Sequence, residues 1–149
     1  MSKYLLDTNA CIALRDMHKT RAEPLKDPLA QQRRERLWAR LRSTPASDLA
    51  MSVISLGELR FGAEKSGAAA ASHQLLDKLC GLVAVLPLAE AVCGHYGQIR
   101  QQLQPAGQGI GPNDTWIAAH GREAGRTVIT ANTGEFGRVA GLQVEDWTQ

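Results

Sequence analysis

Cysteine is scarce in this chain, long apolar runs are absent, and the common catalytic fingerprints are missing. The three cysteines, Cys11, Cys80 and Cys93, are an odd number with no CxxC spacing. They read as small buried side chains in a reducing compartment, not as a disulfide framework or a zinc ribbon. The four histidines, His18, His73, His95 and His120, show no HExxH or paired spacing and read as surface or packing residues,. No apolar stretch approaches the roughly 20 residues of a membrane span, and the first residues lack a signal-peptide layout. A cytoplasmic location without membrane contact is the expectation. There is no P-loop, no GxGxxG after a strand and no Ser-His-Asp arrangement. The glycine-rich stretch Gly107-Gln108-Gly109-Ile110-Gly111 has no strand before it and reads as a flexible loop.

What remains is the composition of an ordinary soluble globular protein. Of 149 residues, 44% are hydrophobic and 21% charged, which fits one domain with a sizeable core. Net charge is only +2, but it is unevenly spread. Residues 15–42 hold nine basic and four acidic side chains, while the remainder holds eight basic and eleven acidic. A solvated helix face accounts for such a basic stretch. So does a phosphate-binding flank beside an acidic, metal-holding remainder.

Periodicity predicts strands at residues 3–6, 49–54, 82–86, 127–131 and 142–145. Helical spacing is predicted at residues 7–14, 29–41, 55–65, 68–79, 89–104 and 112–124. Pro112 suits a first helical position, and Gly125 suits the residue just past a helix end. Continuously apolar strands alternating with helices point to a parallel α/β sheet. Ligands of such sheets bind outside the carboxyl ends of the strands.

Acidic residues stand at those ends. Asp7 follows Tyr4-Leu5-Leu6, Glu58 opens a helix after the second strand, Asp114 lies in the first turn of another helix, and Glu135 follows the fourth strand. Each has a structural reading as a helix cap. Ser55-x-x-Glu58 and Asn132-x-x-Glu135 match the capping box, and the macrodipole favours Asp114. Together they favour chemistry, because Asp7 and Asp114 adjoin residues expected to be buried and a carboxylate there is costly without a compensating cation. Two unit charges about 4 Å apart repel by roughly 4 kcal/mol at an effective dielectric near 20. Mg²⁺ or Mn²⁺ is the hard, oxygen-seeking ion that would relieve this. Thr8, Asn9, Asn113, Asn132 and Thr133 add short polar groups beside the acids.

The motifs LLDTNACI, SVISLGELRFGAEKS, GIGPNDTWIAAHGREAGRTVITANTGEF and RVAGLQVEDW resemble those of PIN-domain endoribonucleases of the VapC toxin type. The likeness runs in the right order over nearly the whole chain. It implies a three-layer α/β/α fold and a Mg²⁺- or Mn²⁺-dependent ribonuclease acting on RNA, with tRNA and initiator tRNA as the substrate class. It further implies a homodimer neutralised by a VapB-like antitoxin and meeting operator DNA only through that complex. Asp7, Glu58 and Asp114 match the family's first, second and third acids, with Asp7 and Asp114 as principal metal ligands and Glu58 beside them. Many members carry an aspartate soon after the fourth strand; here Asn132 and Thr133 stand there, followed by Glu135. Residues 15–45 are longer and richer in arginine than in compact members. Arg33, Arg34, Arg36, Arg40 and Arg42 are the candidates for RNA backbone contacts. Two other readings compete. A phosphotransfer receiver or aspartate-nucleophile phosphatase lacks its second acid, since Asn9 stands where the phosphatase needs aspartate. A catalytically silent PIN-fold module binding nucleic acid or a partner is the alternative.

Overall fold

In the computed structural model, which describes residues 2–149, β1 (Tyr4–Leu6) is the middle strand of a five-stranded sheet. The order is β3 (Ala84–Leu86), β2 (Leu49–Ser52), β1, β4 (Thr127–Ile129), β5 (Val144–Glu145), and every neighbouring pair is parallel. Parallel neighbours require crossovers, and the intervening helices cover both faces. Side chains alternate accordingly. Leu6, Met51 and Ile129 join one core with α1 (Thr8–Met17), α2 (Pro28–Ser43), α3 (Val53–Lys65) and α4 (Ala69–Leu82). Leu5, Ala50 and Val128 join the other, beneath α5 (Ala91–Leu103), α6 (Pro112–Glu123) and α7 (Thr133–Phe136). This is the expected three-layer α/β/α arrangement. Among the described residues, no helix is long and apolar enough to cross a membrane.

The element ends differ from expectation where capping chemistry wins over apolar runs. The second strand stops at Ser52, because its hydroxyl accepts from the Ile54 N–H (3.1 Å) and caps α3. Val53 and Ile54, predicted as strand, are therefore helical. That also corrects the Ser55-x-x-Glu58 capping box: Ser55 lies inside α3, and Ser52 is the cap. The first helix continues to Met17, and α4 continues to Leu82, leaving a shorter third strand. A short helix, α7, lies in a stretch with no predicted helix.

Two glycines do specific work. Gly125 has φ 66° just past α6, and the Arg126 and Gly125 N–H groups bond back to the Gly121 and Arg122 carbonyls at 2.9 and 3.2 Å. This is the paired closure that a left-handed residue allows at a helix end. Gly121 faces β4 so closely that an added Cβ would stand 2.6 Å from the Val128 Cγ2. Absence of a side chain lets α6 lie directly on the sheet. Gly121→Ala is accordingly expected to destabilise by about 1–3 kcal/mol through overpacking against a stiff β-branched side chain. Urea denaturation checks this as a lowered midpoint with an unchanged m-value.

Candidate active site

Asp7 leaves the end of β1 and caps α1, its Oδ1 accepting from the Ala10 N–H at 2.8 Å. Its own N–H bonds to the Ile129 carbonyl at 3.0 Å, so the turn out of the middle strand is tied to β4. Only 5% of Asp7 is exposed, and no ion pair to it exists among the described residues. Burial is the largest influence on its carboxyl and raises the pKa to about 6. Hydrogen bonds from Thr130 and Ala10 pull it down, and the charges of Asp114 and Glu58 push it up.

Asp114 stands in the first turn of α6. Its pKa is also raised, by burial first and then by the charges of Glu58 and Glu135. Asp7 thus feels the charges of Asp114 and Glu58, and Asp114 those of Glu58 and Glu135, which links the four acids electrostatically. Glu58 is the best-held of the outer pair, its Oε1 lying 2.6 Å from the Thr8 Oγ1, which is also 3.1 Å from the Ser55 Oγ. A hydroxyl has one proton to give, and the shorter contact assigns it to the carboxylate. Glu135 instead accepts from the Asn132 side-chain amide at 2.7 Å. Asn132 precedes α7 but makes no side-chain cap, so the second proposed capping box is corrected to a bond between the two side chains. Asn9, Asn113, Asn132 and Thr133 are exposed around the rim.

Among the described residues, no three side chains of His, Cys, Asp or Glu stand ready to enclose an ion. The donor set nevertheless suits a hard cation. It is all oxygen, its most buried member has no positive partner, and Mg²⁺ is commonly held through one or two carboxylates while keeping several waters. Such an ion needs no closed protein cage.

Four of the five candidate arginines have other partners. Arg34 and Arg42 lie over the Trp38 ring, 4.4 and 5.7 Å from its centroid, and Arg40 lies 4.6 Å over Trp147. Arg36 donates to the Thr148 carbonyl at 3.5 Å. A cleft of about 410 Å³ beside Asp7, walled by Ala13, Leu37 and Trp147, brings Arg33 and Arg34 to the edge of the acids. Sequence alone does not point to Ser52, and His120 there reads only as a surface or packing residue. Ser52 is hidden in an apolar run, although a serine just before helical spacing is a cap signal. His120 follows Ile117-Ala118-Ala119, all buried, which marks it as a buried-face histidine.

A PIN-domain model matches residues 4–142. The chain is 35% identical over 148 residues to the tRNA(fMet)-specific endonuclease VapC of Shigella flexneri, covering 99% of this chain and 100% of that protein. It is also 35% identical over 146 residues to the ribonuclease VapC1 of Haemophilus influenzae strain R2866, covering 98% of each. The DNA-bound VapBC structure from Salmonella typhimurium superposes with a TM-score of 0.80 at 33% identity, covering 99% of each chain. The chain belongs to the PIN-domain family and, within it, to the VapC type.

The raised Asp7 pKa has a consequence for the metal-free protein. A carboxyl whose folded pKa lies near 6, above its unfolded value near 3.8, stabilises below pH 4 and loses that contribution as pH rises to about 6,. The full swing is about 3 kcal/mol. Asp7→Asn should flatten this pH 4–6 dependence and raise metal-free stability at pH 7, as measured by thermal unfolding in EDTA.

Proposed function

We propose that this protein is a metal-dependent endoribonuclease of the toxin type, hydrolysing phosphodiester bonds in RNA. The observation that carries the reading is the buried, unpaired Asp7 among three further acids at the carboxyl edge of the sheet. The names of its relatives support RNA as substrate. The Shigella protein's name points to initiator tRNA, and VapBC structures support an antitoxin partner and operator DNA met through the complex. A homodimer in the cytoplasm completes the reading.

Asp7 and Asp114 would hold Mg²⁺ or Mn²⁺, with Glu58 beside them. When bound, the ion polarises the scissile phosphate and lowers the pKa of an attacking water. Glu58, which accepts a hydrogen bond from the Thr8 hydroxyl, would help accept that water's proton. Glu135, linked to Asn132, would stand beside them as the fourth acid. Hydrogen bonds from Thr130 and the Ala10 N–H would hold the Asp7 carboxyl in place at the strand end. Arg33, exposed at the mouth of the adjoining cleft, would contact the RNA backbone, which positions without specifying sequence,.

Purified protein free of antitoxin should cleave RNA in Mg²⁺ or Mn²⁺ and stop in EDTA. Asp7→Asn and Asp114→Asn should each lower the rate at least about a hundredfold, equivalent to roughly 3 kcal/mol of lost transition-state stabilisation. Cleavage that persists in EDTA or in Asp7→Asn would overturn the assignment. A folded protein that binds RNA without cutting it under any condition would favour the silent binding module.

Arg33→Ala should weaken RNA binding evenly across sequences and reduce the salt slope by about one phosphate contact. Arg40→Ala, which removes a contact over Trp147, should leave that slope nearer the wild-type value. Binding titrations from low to moderate salt separate the two.

A further inference from the structure

His120 is 3% exposed and lies on α6, the helix whose first turn carries Asp114. Its Nδ1 is 2.8 Å from the Ser52 Oγ, and Ser52 is completely buried. The Ser52 oxygen already accepts from the Ile54 N–H, which leaves the hydroxyl proton for His120,. With the Ser52 hydroxyl donating to Nδ1, the neutral ring carries its proton on Nε2, and the Pro87 backbone is a further influence on it,. One neutral imidazole thus ties α6 to the junction from β2 into α3. Ser52 and Leu86 are register partners in the parallel sheet, so the ring sits at the same carboxyl edge as the acids.

A serine–histidine pair invites a nucleophilic reading, but neither side chain is open to a substrate. Its geometry serves another purpose. The helices it links carry Glu58 and Asp114, and those two carboxylates repel one another. Nothing positive is paired with either among the described residues. Repulsion between acids on α3 and α6 acts to spread the two helices, whereas a directional buried bond between the same helices resists it.

We propose that His120, through its bond to Ser52, is a positioning residue that holds α6 against the start of α3 so that Asp114 and Glu58 can share one cation. The ring touches neither the acids nor a substrate; it acts through the helices. This inference rests on the metal-binding reading of the acids given above. Glu123 and Arg126 exert opposing influences on the ring, and burial outweighs both in keeping it neutral.

Two conservative variants separate positioning from packing. His120→Asn places an amide oxygen where Nδ1 stands and keeps the bond from Ser52. His120→Gln reaches toward Pro87 with its terminal amide and leaves Ser52 without an acceptor. Each loses one hydrogen bond, so their unfolding midpoints should be similar. Mn²⁺ binding to metal-free protein, followed by electron paramagnetic resonance, should not be. H120N should bind within about threefold of wild type, and H120Q about 10–100-fold more weakly, as expected for groups that support metal ligands from behind. Ser52→Gly, which retains most of the capping preference, should weaken Mn²⁺ as H120Q does and serves if H120Q does not fold. Equal Mn²⁺ affinity for wild type, H120Q and S52G would overturn the positioning role while leaving the metal reading intact. Equal weakening of H120N and H120Q would also overturn it. Absence of Mn²⁺ binding by the wild type would remove the metal reading, and this inference with it.

Discussion

The rest of the site depends on a carboxylate buried at the end of the middle strand with no positive charge to answer it. Asp7 stands where β1 hands over directly to α1, and one of its oxygens completes the cap of that helix. Capping alone asks for no more than a serine or asparagine, which would bring no charge into a buried place. An aspartate there leaves a second oxygen and a full negative charge at the sheet edge. Its pKa is pushed up to about 6, because burial raises it further than hydrogen bonds from Thr130 and Ala10 bring it down. A buried carboxyl so perturbed at a sheet edge is the kind of group that marks a functional site.

Topology converts that local strain into a site. Because all neighbouring strands are parallel, their carboxyl ends share one edge, and the helices that follow begin there. Helix starts carry partial positive charge, so α1 and α6 each offset part of the negative charge that Asp7 and Asp114 bring. The offset is incomplete, since both carboxyls remain raised. Thr8 and Asn132 then use the same device on the outer acids. Each donates to a neighbouring glutamate through a short polar side chain, fixing its direction without cancelling its charge.

The parallel α/β sheet and the placing of Asp7 were legible from short-range rules, while the three-layer arrangement came with the family resemblance. Continuous apolar runs mark strands buried on two faces, and an acid straight after such a run lands at the carboxyl edge. What was hidden depends on contacts between distant segments. The apolar run masks the cap signal of Ser52, whose hydroxyl opens the helix at Val53 and is met from the far side by a histidine 68 positions later. His120 itself is indistinguishable from a packing histidine until α6 is laid on β2. Glu135 stands open for a different reason, since Asn132 and Thr133 occupy the place where many family members carry an aspartate; its side chain bonds to that of Asn132.

The basic helix shows why the acids stay uncompensated in a chain with many arginines. α2 is fastened to α1 by the Trp38 indole N–H, which donates to the Ala13 carbonyl at 2.8 Å, so its arginines start close to the Asp7 edge. A long guanidinium reaching Asp7 would pair with it and occupy the place a cation needs. Three of them lie over aromatic rings instead: Arg34 and Arg42 over Trp38, and Arg40 over Trp147, while Arg33 lines the cleft with Asp7. Arg36 is drawn instead to a C-terminal carbonyl. Cation–π contact orients a guanidinium without neutralising it. Arg33, at the cleft, adds positive potential there, while no lysine or arginine is paired with Asp7 or Asp114 among the described residues.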